Sequence, residues 1–206
     1  MDSIKVAPSE ENKVSSSNLP KPISTSQSTS QSTSQSTSQS TSQSTTHTLL
    51  GKWNLYYHLP HDKNWDLSSY KIIAGNMNTA EQLIAINEGL PENVIKYCML
   101  FVMRTGITPM WEDPKNRNGG CFSFKVANKL VPTVWKTLFY ALCGESLSTV
   151  PKYNSMINGI TISPKKNFCV IKIWMENCLV QDVNILIDIE HLPKQGCLFK
   201  KHAPEF

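Results

Sequence analysis

No stretch of the 206 residues comes near the ~18 consecutive apolar positions of a membrane-crossing helix, and no apolar run near Met1 has the form of a signal peptide. The protein is therefore expected to be soluble and cytoplasmic, without membrane contact. CxxC pairs and Cys/His clusters are also missing: the cysteines at 98, 121, 143, 169, 178 and 197 are scattered, some within apolar runs such as "FCVIKIW". This pattern argues against a zinc site and suits buried thiols in a reducing compartment. The closest histidines, His58 and His61, flank a proline and have no third ligand. Neither a metal nor a cofactor is expected, and no nucleophile-base pair stands out, so binding is expected rather than catalysis. Positive charge is sparse too. A net +4 falls far short of the basic stripe of a duplex-DNA binder, although it is compatible with a polyanionic ligand.

What is present is a 40% hydrophobic composition, enough for the core of one ordinary domain. Residues 26–45 are consecutive copies of Ser-Gln-Ser-Thr. Without apolar side chains such a repeat cannot offset the entropy of ordering, so 1–46 is expected to be a disordered linker or phosphorylatable tail. The acids and lysines of that tail balance, placing the charge excess on a folded domain over 47–206.

Within the domain, "KWNLYYH" (52–58) alternates like a strand with unlike faces. "TAEQLIAINEGL" opens with a Thr79/Gln82 capping box, turns Leu83, Ile84 and Ile86 inward and meets Gly89 at its end, a short helix. Strand formers fill 97–103 and 121–126, predicting neighbouring antiparallel strands joined by the loop between them. A second helix is predicted over 132–145, a hairpin across "INGITIS" and "FCVIKIWM", a third helix around 181–191 and a last strand near 196–201. These elements predict an α+β fold: an antiparallel sheet with helices on one face and a wetter face opposite.

Trp53 and Trp135 fall on apolar faces and read as core. Trp65 in "PHDKNWDLSSY" and Trp111 in "GITPMWEDPKNRNGG" sit among turn formers instead. Two facing indoles make a slot for a flat ring, with stacking of roughly 1–3 kcal/mol per base and about 0.5–2 kcal/mol more if the ring is cationic. Glu112, next to Trp111, can accept both hydrogen bonds of a guanine edge, N1–H and the exocyclic amine. Such a slot selects a cationic guanine, the product of 7-methylation.

The segments "HTLLGKWNLYYH", "GITPMWEDPKNRNGG", "VWKTLFYALCGES" and "CVIKIW" together resemble the eukaryotic translation initiation factor 4E family, proteins that bind the 5′ cap of messenger RNA. The resemblance runs from about His47 to His202. It implies a strongly curved antiparallel sheet with three helices on its convex face and a cap slot on its concave face. By position, Trp65 and Trp111 would sandwich the methylated base, Glu112 would hold its edge, and Trp174 would touch the N7-methyl group. Lys165 falls at a phosphate-binding arginine position with Lys166 beside it. Asn167, Val170 and Cys121 stand where the family has further basic residues. Lys172, two residues before Trp174 and hence on the same strand face, is expected to replace a missing phosphate contact.

The resemblance also implies partners: capped messenger RNA, and a 4G-type scaffold or 4E-binding regulator on the convex face. There His47, Ile84 and Lys136 occupy the partner-binding positions, and Lys136 replaces a leucine. A lysine in an apolar groove weakens it. The implied function is recruitment of capped messages to the ribosome by a monomeric, non-enzymatic factor. The alternatives are a cap-holding repressor that does not engage the usual scaffold and an interaction module that has lost the cap. The family's C-terminal cap-side loop appears only in part, predicting less cover for nucleotides beyond the first.

Overall fold

Alternating apolar and polar residues give β1 (Thr48–His58), whose Trp53 and Leu55 are fully buried, and β2 (Lys71–Thr79) pairs with it antiparallel through several register shifts. The remaining strands are β3 (Met99–Arg104), β4 (Gly120–Ala127), β5 (Ile157–Pro164), β6 (Phe168–Met175) and β7 (Leu198–Lys201). This is a computed structural model describing residues 46–202; the expected disorder of the Ser-Gln-Ser-Thr tail concerns residues outside the described ones. All seven strands form one curved, unclosed antiparallel sheet in the order β2-β1-β3-β5-β6-β4-β7.

One face of the sheet carries the helices. α1 (Ala80–Gly89) begins at the expected capping box, Thr79 accepting from the backbone of Gln82 while the Gln82 side chain reaches back. α2 (Glu92–Tyr97) follows. α4 (Val131–Cys143) supplies the buried face of Val134, Trp135, Leu138, Phe139 and Leu142. These side chains pack with Leu100 and Val102 of β3, Phe122 and Phe124 of β4 and Ile171 and Ile173 of β6 in the main core. The opposite parity of the same strands turns Phe101, Met103 and Trp174 the other way, into a small cluster with Ile107. Two short helices, α3 (Pro114–Arg117) and α5 (Pro151–Asn154), and 3₁₀ turns at Leu67–Ser69, Asn128–Leu130 and Val183–Ile185 complete the described elements.

Three expectations are corrected. The segment 181–191 is not a helix: only a 3₁₀ turn forms at Val183–Ile185, capped by Asp182. Val183, Ile185, Ile187 and Ile189 alternate β-branched residues, which disfavours a helix. The backbone of Ile185 and Ile187 bonds to residues 147–149 instead. The third helix on the convex side is α2, which was not expected. The strands at 99–104 and 120–127 are not neighbours either, because β5 and β6 lie between them. The loop joining them therefore crosses two strands. Finally, Ile84 does not point inward; it is 53% exposed on the helix-bearing face.

Candidate functional site

The crossing loop carries Trp111 and Glu112 over the open face, and it is held by its own polar residues. Asp113 caps α3, accepting from the Lys115 backbone at 2.9 Å, and its other oxygen accepts from the backbone and hydroxyl of Thr108, each at 2.7 Å. Burial pushes its carboxyl up, but these donors outweigh that and hold it below the ordinary range. Asn116 is fully buried and donates to the carbonyls of Thr108 (3.0 Å) and Met110 (2.8 Å), bracketing the turn just before Trp111. The Asn158 amide on β5 donates to the Asn116 side-chain oxygen at 3.0 Å, fastening the loop to the sheet beneath. The Gly-Gly pair ends the crossing at close quarters. A Cβ on Gly119 would lie 1.9 Å from the Met175 carbonyl oxygen, and one on Gly120 2.6 Å from the Phe199 ring.

Trp65 comes from the opposite side, on the loop after β1. Asp62 and Asn64 form successive side-chain turns there, accepting from the backbones of Asn64 and Asp66. His58, the last residue of β1, lies buried beneath the indole, the rings stacked at 4.3 Å and 4° from parallel. Its Nε2 is 2.8 Å from the Asn64 carbonyl oxygen, and since a carbonyl only accepts, Nε2 carries the hydrogen. The histidine set aside as a poor metal ligand is thus a support for the Trp65 ring.

Between the loops lies a cavity of about 310 Å³ lined by Trp65, Trp111, Glu112, Lys165, Lys172 and Trp174, among others. Trp65 and Trp111 remain 49% and 39% exposed. Such exposure of large apolar rings across a cavity suits a flat ligand that would cover both. Trp174 is only 6% exposed; its Nε1–H donates to the Thr161 hydroxyl at 2.8 Å, so one edge borders the cavity while the ring stays packed. Tyr70 also lines it, packed edge-on against Phe101 at 5.2 Å. Burial first, and then the charge of Glu112, pushes the Tyr70 phenol up to about 12, so it stays a hydrogen-bond donor over the physiological range.

Of the three lysines expected at the phosphates, Lys165 and Lys172 line this cavity, and Lys172 sits across from Thr161 on the face of Trp174. Lys166 instead lines a neighbouring groove. Residues not anticipated extend the cationic wall. Cys121 has Trp174 on one side and Lys200 of β7 on the other, and Lys172, Lys200, Lys201 and His202 line an adjoining cavity of about 290 Å³ that shares Trp111 and Trp174. Burial raises the Cys121 thiol pKa, opposed by the nearby charges of Lys172 and Lys200. Burial likewise lowers that of His202, whose Nδ1 donates to the Asn116 carbonyl, a bond acting the other way, while the charge of Lys172 adds to the lowering.

The partner-face residues lie elsewhere. His47 contacts Glu81 at 2.7 Å, tying the start of β1 to α1. Lys136 pairs with Glu88 at 2.5 Å, and Glu88 also accepts from the Tyr140 hydroxyl at 3.0 Å. Ile84, one turn before Glu88 on α1, therefore stands exposed beside a polar cluster.

Similarity to known proteins agrees with this geometry. A family profile described as "Eukaryotic initiation factor 4E" matches residues 48–202. The chain is 29% identical over 160 residues to the translation initiation factor 4E of Candida glabrata, covering 75% of this chain and 71% of that one. It is 44% identical over 62 residues to an initiation factor 4E homolog of Acanthamoeba polyphaga mimivirus, a match spanning 30% of this chain and 23% of the viral protein. Among solved structures, a Caenorhabditis elegans 4E-3 complex with the 4E-binding protein Mextli superposes with a TM-score of 0.59 at 23% identity, over 68% of this chain and 81% of that chain. A schistosome factor 4E complexed with m7GpppA and 4E-BP gives 0.57 at 26% identity, over 64% and 73%. With a family profile matched across nearly every described residue, the chain belongs to the eukaryotic initiation factor 4E family.

Proposed function

We propose that this protein binds the 7-methylguanosine 5′ cap of messenger RNA and acts in translation initiation by bringing capped messages to the ribosome. The observation that carries this reading is the convergence of Trp65, Trp111 and Glu112, from two separate loops, on one cavity floored by Trp174. The indoles stack on the cationic base, Glu112 accepts from its N1–H and amine, and Trp174 borders the methyl group. Lys165 and Lys172 face the phosphates, and Lys200 supplies charge beside Cys121. A relative solved with m7GpppA supports the ligand class. Retention on cap-analogue resin, with release by free 7-methyl-GTP but not by GTP, tests it; release by both nucleotides alike would refute it.

A second reading concerns what happens to the bound cap. The Lys136–Glu88–Tyr140 cluster puts charge on the helix-bearing face, where the family resemblance implies a partner binds, and relatives are solved in complex with 4E-binding proteins. It favours a partner helix with polar complements over a purely apolar one, or a cap-holding role without the usual scaffold. Identifying proteins co-retained on cap resin distinguishes the two: an initiation scaffold supports recruitment, whereas its absence beside a bound cap supports repression.

A further inference from the structure

The hairpin tip that brings Lys165 to the slot has a second side. A groove of about 500 Å³ opens there, lined by Lys96, Tyr97, Lys129, Lys165 and Lys166 with no Asp or Glu in its walls. Lys165 lines the slot and this groove alike, so the two lie side by side at the hairpin tip. Lys96 is paired with Glu92 at 2.9 Å, but Lys129, Lys165 and Lys166 have no carboxylate partner among the described residues. The Asn128 amide donates to the carbonyls of Lys165 and Lys166, at 3.3 and 3.4 Å, steadying the tip. Tyr97, at the end of α2, is 71% exposed.

We propose that this groove takes the sugar-phosphate chain of the RNA that follows the cap, with a base laid on Tyr97. The inference rests on the cap reading for its geometry, since a capped strand passing Lys165 enters the groove directly. Its chemistry stands separately. Lysines without carboxylate partners neutralise successive phosphates, and an exposed aromatic beside them is a stacking platform, the combination that binds single strands without sequence preference. An acidic peptide would answer to the charge but would leave the Tyr97 ring without a flat partner. The lysines flanking Cys121 belong to the slot itself and share its tryptophans.

The test compares 7-methyl-GTP with a capped oligoribonucleotide of about ten nucleotides, and with the same oligonucleotide uncapped. The capped strand is expected to bind more tightly than the free cap, with steeper salt dependence. The double substitution Lys129→Ala/Lys166→Ala should remove that gain and reduce the salt slope by about 1.4, roughly 0.7 per phosphate contact, leaving 7-methyl-GTP binding unchanged. Tyr97→Ala should cost the capped strand about fivefold or more, and Tyr97→Phe should restore it. Equal affinities for free cap and capped strand would overturn the proposal. So would a length-dependent gain lost in Lys200→Ala/Lys201→Ala but not in Lys129→Ala/Lys166→Ala, or competition by an acidic peptide with no effect of RNA length. Should 7-methyl-GTP itself fail to bind, the cap reading falls, but weak uncapped-strand binding abolished by Lys129→Ala/Lys166→Ala is still expected. Its absence would refute the groove on its own.

Discussion

On the open face of the sheet, two half-exposed tryptophans, a carboxylate and two lysines converge on one cavity from two loops, the β5–β6 turn and β6, and the two loops are braced by His58 and by Asn116 with Asn158. On the helix-bearing face, the positions expected to meet a protein partner are held differently. Ile84 is exposed, and Lys136, Glu88 and Tyr140 bond to one another. A ligand with fixed atoms demands fixed groups, so the slot is braced from below. A partner helix can change along with its groove, and an ion pair can settle where an apolar contact is expected. Buried polar groups hold the slot's loops, whereas an exposed ion pair holds the face behind it.

Substitutions in the slot should have the largest effects. Trp111→Ala or Trp65→Ala removes one wall of the stack, at a cost of roughly 1–3 kcal/mol, or about five- to 150-fold in 7-methyl-GTP affinity by titration. Near-full affinity in either variant would mean that the slot is not shared. One step below, Asn116→Ala leaves the carbonyls of Thr108 and Met110 without this donor and takes one of the two acceptors of the Asn158 amide, which keeps the Lys115 carbonyl. Each orphaned buried group costs about 1–3 kcal/mol, so a drop in melting temperature should accompany weaker cap binding. A variant that binds and melts like the parent would show that the brace is dispensable.

The opposite face gives the contrast. Lys136→Leu removes the ion pair, leaving Glu88 bonded to the Tyr140 hydroxyl, and adds apolar surface; it should strengthen binding of an amphipathic 4E-binding helix several-fold and leave cap affinity unchanged, both measurable by calorimetry. A change in cap affinity would break the separation between faces. The smallest effect concerns pH. His202 in the folded protein has a pKa below its ordinary 6.5, chiefly through burial. The unfolded chain therefore takes up the proton first as pH falls. Stability from the neutral ring is complete above 6.5 and declines as pH falls from 6.5 towards the lower folded value. Denaturation midpoints should follow that course and flatten in His202→Gln.

The slot was legible in the sequence because its residues break rules visible along the chain: tryptophans among turn formers, a carboxylate beside one of them, a lysine between isoleucines. Which strands stand side by side was not legible. Lys200 reaches the site only because β7 pairs with β4 opposite Cys121, and no periodicity encodes that neighbour. The same gap hid the loop's crossing of β5 and β6. β2 escaped notice because Gly75, Asn76 and Asn78 dilute its strand pattern, and the register shifts against β1 accommodate them. α2 escaped because it has only six residues. His58 was read by its metal-binding chemistry, whereas its neighbour in space is Trp65.

Two loops build one slot, and we propose that it takes a cationic guanine. Titration of the protein's tryptophan fluorescence with 7-methyl-GTP and with GTP tests it most directly. Stacking should quench the indoles strongly with the methylated nucleotide and only weakly with the unmethylated one, and Glu112→Ala should abolish the saturable response. Equal quenching by both nucleotides, or none by either, would contradict it.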